Sequence, residues 1–345
     1  LVPHFEKMLY DNALLVRLYL HAYQVTGKDL YKNVVEETLD YVKREMTSIE
    51  GAFFSAQDAD SDGIEGQYFV WTVDEINAVL EPELAKAVIK HYGVTKKGNF
   101  EGNSILNLVS EEYNEPKYQA IKDILNQARE PLMKYRSERV RPETDSKILT
   151  AWNGLMISAF TEASVILNSK EYGDIAKKAA EFILNNLMQG NRLLRTYKDG
   201  QSKLNGYLED YAFFVEGLLS LHETTLNPVW LKQAINLSES MIDLFWDDKT
   251  KQFFDTSVDH EKLVVRPRDI ADNAIPSGAS VACKVLLKIA VYLDDDRIRD
   301  ITRLSIKSAT TLMTKAPIAA GEWLNCVEFY IDTPKEIVIN GDFND

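Results

Sequence analysis

The sequence has 345 residues, with 45% hydrophobic and 27% charged residues, which is the composition of an ordinary globular protein of one or two domains. Its net charge of −14 repels phosphate backbones and anionic lipids, so the charge argues against nucleic-acid and membrane binding. No apolar run approaches the roughly 20 residues that a transmembrane helix needs.

Pairs of helices joined by short turns recur along the chain. Apolar residues at helical spacing predict four such pairs, over residues 8–25 and 29–46, 148–166 and 171–188, 207–222 and 228–245, and 276–293 and 296–313. Single helical hairpins cannot bury their apolar faces, so repeated hairpins stack or close into a ring. The first helices are rich in Ala, Gly and Ser, and long extended segments follow the pairs. We therefore predict an all-α fold of the α/α toroid type.

The repeat is interrupted at about residues 64–145. This region predicts a strand over 66–72, a helix over 73–91, a Gly- and Asn-rich loop over 93–108, and a helix over 115–136. We interpret it as a small insertion with short strands inside a single toroid domain that spans residues 1–345.

Cysteine usage bears on the cellular compartment. The chain has two cysteines, Cys283 and Cys326, and neither belongs to a CxxC pair. A disulfide between them is one interpretation, but two buried free thiols in a reducing cytosol are the favoured one, so we expect a cytoplasmic protein.

An acidic segment precedes the insertion. Asp58, Asp60 and Asp62, followed by Gly63, match the first half of a calcium-binding loop. The closing glutamate of such a loop is missing, because Phe69 stands in its place. The segment is therefore a calcium site, the acidic rim of a pocket or an exposed turn. No other cofactor is expected.

Aromatic residues follow these acids directly. Glu65 is a further acid, and Tyr68 and Trp71 come within six residues of it. Tyr68 and Trp71 could form a stacking surface beside the carboxylates, which favours the pocket rim over a solvated turn.

A second polar cluster opens the chain. It contains His4, Glu6, Lys7, Tyr10 and Asp11, of which the histidine, the glutamate and the lysine are plausible proton-transfer groups. His4 is the most interesting histidine, since it precedes a helix at the expected mouth of the toroid. The alternative is that the charged residues make ordinary interactions within the first helical turn.

Polar and aromatic residues also begin the later first helices of the pairs. Glu209, Asp210 and Tyr211 lie in the first turn of one helix, where acids can simply stabilise the helix dipole. Corresponding positions of other pairs hold Trp152, Asn153 and Ser277. If the hairpins close into a ring, these groups converge on one cavity, and carboxylates beside aromatic rings suit a sugar.

Two loops add further candidate binding residues. The loop at 93–108 contributes Glu101 and Asn103, and Lys147 stands just before a predicted helix. The sequence has no GxGxxG or GxxxxGK[ST] motif, so it does not predict a nucleotide site.

Five segments together resemble one protein family. They are PHFEKMLYDNALL, FSAQDADSDGIEGQYFVWT, EGNSILNL, LTAWNGLMISA and YLEDYAFF, and they occur in this order. The sequence resembles the YyaL-type thioredoxin-domain proteins, the family that includes spermatogenesis-associated protein 20, over nearly the whole chain.

The resemblance implies a thioredoxin-like domain followed by an (α/α)6 toroid similar to six-hairpin glycosidases and N-acylglucosamine 2-epimerases. This chain would be a fragment that covers the toroid without the thioredoxin-like domain, and its four predicted hairpins fall short of six. Fold analogy does not fix function.

Together, the residues and the resemblance predict a carbohydrate-active or carbohydrate-binding domain, similar to a glycoside hydrolase or a sugar epimerase. The candidate catalytic residues are His4, Asp58, Asp60, Glu65, Glu209 and Asp210. The alternative is a non-catalytic scaffold that serves the thioredoxin-like domain of the intact protein. A centre whose acids are all paired would favour the scaffold.

Overall fold

The computed structural model describes residues 2–108, 115–261 and 264–332. The chain forms two compact units. The first consists of Leu1–Met8 and Ala56–Asp145, and the second of Leu9–Ser55 and Ser146–Asp345. The insertion expected at about residues 64–145 lies within the first unit.

Helices dominate the described part of the chain. The α-helices are α1 (Leu9–Thr26), α2 (Asp29–Glu45), α3 (Val73–Val79), α4 (Pro82–His91), α5 (Glu115–Ser137), α6 (Thr150–Ile166), α7 (Lys170–Asn186), α8 (Leu208–Thr225), α9 (Pro228–Phe245), α10 (Gly278–Leu293), α11 (Asp296–Lys315) and α12 (Gly321–Ile331). The strands are β1 (Lys7–Met8), β2 (Ala56–Gln57), β3 (Asp60–Ser61), β4 (Ile64–Glu65), β5 (Thr144–Asp145), β6 (Ile148–Leu149), β7 (Met188–Gln189), β8 (Arg192–Lys198), β9 (Gln201–Asn205), β10 (Trp246–Asp247) and β11 (Gln252–Phe253). Among these residues, no helix combines the length and the apolar character that crossing a membrane requires.

The second unit consists of helical hairpins, which confirms the predicted fold class. Its inner helices pack side by side in the order α1, α6, α8, α10 and α12. The outer helices α2, α7, α9 and α11 each pack against the inner helix that precedes them. Helices α6, α8 and α10 are buried on nearly all sides because they are apolar all round, whereas α2, α7, α9 and α11 are amphipathic. The four predicted hairpins are confirmed, and α12 is a helix that the sequence reading missed.

Two glycines bring α6 and α8 into close contact. A Cβ atom on Gly154 would lie 2.5 Å from the carbonyl oxygen of Phe213, and one on Gly217 would lie 3.1 Å from the carbonyl oxygen of Gly154. The backbones approach so closely that no side chain fits between them at these positions.

A buried asparagine ties α6 to the segment that follows α2. The side chain of Asn153 accepts a hydrogen bond from the amide of Phe53 at 2.8 Å and donates to the carbonyl oxygen of the same residue at 2.9 Å. Its amide group also donates to the carbonyl oxygen of Leu149 at 2.9 Å. These bonds satisfy polar groups that would otherwise be costly to bury.

The first unit contains a small sheet and its own apolar core. Strands β1, β2 and β5 form an antiparallel sheet, with Lys7 opposite Gln57 and Ala56 opposite Asp145. The core lies under α3, α4 and α5 and includes Trp71.

Two predictions for this unit are wrong. The strand expected over residues 66–72 is a turn, in which only Trp71 forms a bridge, to Ser104. The helix expected over residues 73–91 is divided into α3 and α4. Pro82 starts α4 and favours an extended backbone at Glu81, where ψ is 148°.

Candidate functional site

In the second unit, the first turns of α1, α6 and α8 adjoin one another. The ring of Tyr10 in α1 packs edge-on against that of Trp152 in α6, with 4.9 Å between the ring centroids. The amide of Ala151 in α6 donates a hydrogen bond of 3.0 Å to Oδ1 of Asp210 in α8. These contacts fix the starts of three inner helices at the same end of the unit.

The first turns of α10 and α12 continue this arrangement. A Cβ atom on Gly278 would lie 3.0 Å from the amide nitrogen of Glu209 in α8. Asp272 accepts hydrogen bonds from the amides of both Ser277 and Glu322, at the starts of α10 and α12. We call the first turns of α1, α6, α8, α10 and α12 the N-terminal rim. Helix N-termini carry partial positive charge, so the rim favours negative or hydrogen-bond-accepting groups.

A charged cluster stands on the rim at α8. Nη1 of Arg195, which lies in β8, is 2.8 Å from Oε1 of Glu209 and 3.0 Å from Oδ2 of Asp210. The guanidinium also lies over the ring of Tyr207, 4.7 Å from its centroid. We call these four residues the Arg195 cluster. The side chain of Glu209 is 27% exposed and that of Asp210 is fully buried, so Glu209 is the carboxylate that a ligand can reach.

Asp210 connects neighbouring elements through its hydrogen bonds. Its carboxylate accepts hydrogen bonds from the amides of Ala151 and Tyr207 as well as from Arg195, and it forms the capping box of α8. Burial raises the pKa of Asp210 to about 7, while Arg195 and the backbone amides act in the opposite direction. Asp210 therefore joins the starts of α6 and α8 and positions Arg195 beside Glu209.

The raised pKa of Asp210 predicts a pH dependence of stability. Its unfolded-state value is 3.8, so between about pH 4 and pH 7 the folded protein holds a proton that the unfolded chain has lost. The free energy of unfolding should therefore fall as pH rises, by up to about 1.4 kcal/mol per pH unit from this group. Urea unfolding of the wild type and of Asp210→Asn at pH 4.5, 5.5 and 6.5 measures the effect. The stability advantage of the wild type should shrink with pH, whereas parallel pH profiles would contradict the assignment.

Asp255 and His260, which follow β11, also contact the start of α8, and the sequence did not predict them. The carbonyl oxygen of Asp255 accepts a hydrogen bond from the amide of Leu208, at the start of α8. The ring centroid of His260 lies 6.0 Å from that of Tyr207. Burial raises the pKa of Asp255. The signal available in the sequence was the long stretch between the predicted helices at 228–245 and 276–293, since long connections in compact domains are often functional.

The predicted site residues of the second unit fall into two groups. Those that reach solvent are Tyr10, Asp11, Lys147, Trp152 and Glu209. Those that are buried are Asn153, Asp210, Tyr211 and Ser277. Tyr211 accepts a hydrogen bond from the amide of Leu193 at 2.9 Å, and Ser277 caps α10 by accepting one from the amide of Ser280. The buried group therefore holds the rim together, and the exposed group forms its accessible surface.

The acidic segment of the first unit forms a hairpin. Asp60 pairs with Glu65, and the turn residues Asp62 and Gly63 both have positive φ, of 55° and 74°. Asp-Gly is a favoured pair in such two-residue turns. Asp58, Asp60, Asp62 and Glu65 are all exposed, and the described residues contain no group of three or more acids, histidines or cysteines placed to hold a metal ion.

The other predicted residues of the first unit are dispersed. His4, Glu6 and Glu101 are exposed, and Glu101 stands with Asn103 in a tight turn. Tyr68 and Trp71 are buried, at 7% and 3% exposure, so their rings pack against other residues of the protein. Trp71 lies under the guanidinium of Arg139, which is 4.4 Å from its ring centroid. Lys7 is half-buried against Phe69.

A chain of largely buried charges links the inner helices of the second unit, and the sequence did not predict it. Each inner helix contributes one residue, and the members in order of contact are Glu162, Arg17, Glu216, Lys284 and Glu322. The four ion pairs measure 2.8, 3.1, 2.8 and 2.8 Å. We call this set the inner charge chain. The clearest available signal was Glu162, the one charged residue of the otherwise uncharged helix α6.

Glu216 is the centre of the inner charge chain. Burial raises its pKa, but the adjacent Arg17 and Lys284 outweigh burial and hold the pKa well below its ordinary value. Glu216 is therefore a carboxylate at neutral pH, and it neutralises two cations that are themselves largely buried.

A cavity of about 350 Å³ lies between α10 and α12. Lys284, Lys288, Cys326 and Phe329 form part of its wall. Both cysteines are buried free thiols, as the sequence predicts. The size of the cavity is within the range of small-ligand pockets.

Comparison of the fold with solved structures identifies proteins of similar architecture. A sugar epimerase from a ruminal bacterium matches 91% of this chain and 62% of its own, with a TM-score of 0.56 and 12% identity. Cellobiose 2-epimerase from Bacillus thermoamylovorans matches 94% and 75%, with a TM-score of 0.52 and 10% identity. D-mannose isomerase matches 87% and 59%, with a TM-score of 0.51 and 12% identity. At these identities the likeness shows a shared fold.

Comparison of the sequence identifies relatives. No family model matches the chain. Human spermatogenesis-associated protein 20 is 33% identical over 99% of this chain, and the mouse protein is also 33% identical. An uncharacterised protein of Caenorhabditis elegans is 27% identical over 92% of the chain. The chain spans about half the length of these relatives, 48–49%. The chain belongs to the family of spermatogenesis-associated protein 20, whose human and mouse members it matches over about half of their length.

Proposed function

We propose that the second unit carries a carbohydrate site on its N-terminal rim and catalyses proton transfer in an open-chain sugar, as an isomerase or epimerase does. The observation that carries the proposal is the Arg195 cluster, in which Arg195 lies over the ring of Tyr207 and holds the accessible carboxylate of Glu209. The similar fold of two sugar epimerases and of D-mannose isomerase supports this class of substrate.

The rim residues suit such a substrate. Carboxylates accept hydrogen bonds from sugar hydroxyls, and aromatic rings pack against the C–H faces of sugar rings. On this proposal Tyr10 and Trp152 provide the aromatic surface and Glu209 binds the substrate or transfers its proton. His260 lies beside Tyr207, and an imidazole is a suitable second proton-transfer group. His4, Asp58, Asp60 and Glu65 are exposed residues of the first unit and have no part in this proposal; their catalytic role stays a prediction.

Deuterium exchange tests the proposal. The intact protein that contains this chain is incubated in D2O with D-mannose, D-glucose or cellobiose, and NMR follows deuterium incorporation at C2. We expect exchange with at least one sugar, and Glu209→Gln should slow it by about 10²-fold, because a positioned acid–base group contributes about that much.

A matched variant controls for charge. Glu239 forms an exposed ion pair with Arg297 on the outer helices, so Glu239→Gln removes the same charge far from any proposed role. It should leave exchange unchanged. Absence of exchange and of sugar binding in the wild type, or equal exchange in the Glu209→Gln protein, would reject the proposal.

The second candidate is a non-catalytic scaffold for the thioredoxin-like domain of the intact protein. It is favoured by the pairing of interior acids, since Glu162, Glu216 and Glu322 all form ion pairs, and Asp210 pairs with Arg195. The scaffold predicts no exchange with any sugar, so the same experiment separates the two candidates.

We also propose that the protein is cytoplasmic. Its buried free thiols Cys283 and Cys326 are consistent with a reducing compartment. Subcellular fractionation tests this proposal, and recovery from an oxidising compartment would reject it.

A further inference from the structure

Lys7 of the first unit has an unusual environment. Strand β1 fixes its backbone, and its Nζ atom donates a hydrogen bond of 2.8 Å to the carbonyl oxygen of Phe5. The same atom lies 3.4 Å from the centroid of the Phe69 ring. The amine is therefore held in one place, on an aromatic surface, by a rigid element of the fold.

A second cation shares this surface. The guanidinium of Arg136, near the end of α5, lies 5.7 Å from the centroid of Phe69 and 5.2 Å from that of Tyr68. Its Nε atom is buried and has no hydrogen-bond partner. Among the side chains of residues 2–108, 122–261 and 264–332, no carboxylate forms an ion pair with Lys7 or Arg136. Two cations thus lie close together without a counterion, which is an arrangement that attracts an anion.

The same contacts alter the chemistry of the amine. Burial and, to a smaller extent, the nearby Arg136 together lower the pKa of Lys7 to about 8. The carbonyl oxygen of Phe5 and the ring of Phe69 oppose this change by stabilising the ammonium. A lysine that is partly desolvated beside another cation, as Lys7 is, has a larger neutral fraction and is a better nucleophile.

We propose that Lys7 and Arg136 form a binding site for a small α-keto acid, with which Lys7 forms a Schiff base. The planar guanidinium of Arg136 binds the carboxylate. The nitrogen lone pair of Lys7 attacks the adjacent carbonyl carbon, and one proton passes from the nitrogen to the carbonyl oxygen. The resulting carbinolamine loses its hydroxyl group and the remaining nitrogen proton as water, which leaves the C=N bond. The step needs no oxidant or reductant, and all residues of the proposed site belong to the first unit.

Reductive trapping tests this site. The protein is incubated with pyruvate and sodium cyanoborohydride, and mass spectrometry of its peptides measures the adduct at each lysine. We expect Lys7 to be labelled about ten-fold faster, or more, than the exposed Lys28, because its neutral fraction is greater. Labelling of Lys7 at the rate of exposed lysines would overturn the proposal.

The contribution of Arg136 is measured by comparing two probes. Acetaldehyde has a carbonyl group but no carboxylate, so Arg136→Gln should slow labelling by pyruvate more than labelling by acetaldehyde. Arg303→Gln, which removes an exposed arginine from α11, is the matched control and should slow neither. Equal slowing of both probes by Arg136→Gln would overturn the assigned carboxylate contact.

A competition measurement needs no variant. Acetate has a carboxylate but no carbonyl group, so it should occupy Arg136 and reduce the labelling of Lys7 by pyruvate without reducing that of Lys28. Failure of acetate to protect Lys7 selectively would likewise overturn the anion site.

Discussion

Replacing Glu216 by glutamine should lower the free energy of unfolding by about 1.5–3 kcal/mol, because hydrogen bonds between charged groups contribute about that much. Arg17 and Lys284 both lose the carboxylate that they share, although Arg17 keeps its ion pair with Glu162 and Lys284 keeps its ion pair with Glu322. Urea-induced unfolding followed by circular dichroism measures the change. The exposed pair of Glu239 and Arg297 provides the control, since Glu239→Gln should cost no more than about 1 kcal/mol.

Acidification provides a second measurement on the same residue. The pKa of Glu216 is lower in the folded than in the unfolded protein, so its stabilisation is present above the unfolded value of 4.5 and is lost as pH falls towards the folded value. The difference in unfolding free energy between the wild type and Glu216→Gln should therefore shrink below about pH 4.5. A difference that is small at neutral pH, or constant with pH, would contradict this account.

Replacing Gly154 by alanine should destabilise the second unit by about 3 kcal/mol, at the upper end of the usual cost of overpacking. The added methyl group would meet the backbone of Phe213 at 2.5 Å, and backbone atoms of a buried helix cannot rotate away as a flexible side chain can. Helices α6 and α8 must then separate. Thermal and urea unfolding measure the loss.

Gly321→Ala is the matched control for Gly154→Ala. Gly321 is also a helical glycine, at the start of α12, but an added Cβ atom would meet no atom within 4 Å. This change should be neutral or slightly stabilising, because alanine reduces the entropy of the unfolded chain. Equal effects of the two substitutions would show that the close approach of α6 and α8 does not determine the cost.

The hairpins were predictable because their helices have strong local signals. Helix α9 begins with Asn227 as its cap and Pro228 in its first turn, and its amphipathic pattern is continuous. The strand-like composition of residues 66–72, which include three aromatic residues, was misleading. Gly66 has a φ of 71° and turns the chain there. Any side chain at this position would clash with the ring of Phe5. That contact joins distant parts of the sequence, so local patterns do not reveal it.

The candidate site was predictable in position but not in detail. Acids in the first turn of α8 located Glu209 and Asp210, yet these adjacent residues differ completely in exposure. The difference arises from Ala151 on another helix, whose amide donates a hydrogen bond to the buried carboxylate of Asp210. Arg195 and His260 reach the rim from β8 and from a loop, and only the folded chain brings them there.

The inner charge chain also constrains how the inner helices can slide along one another. A displacement of one helical turn moves a side chain by about 5.4 Å along the helix axis, which is more than the reach of an ion pair. Glu216 meets both Arg17 and Lys284, so such a displacement of α8 would separate two ion pairs together. The alternating charges therefore favour a single axial alignment of α8 with its two neighbouring inner helices.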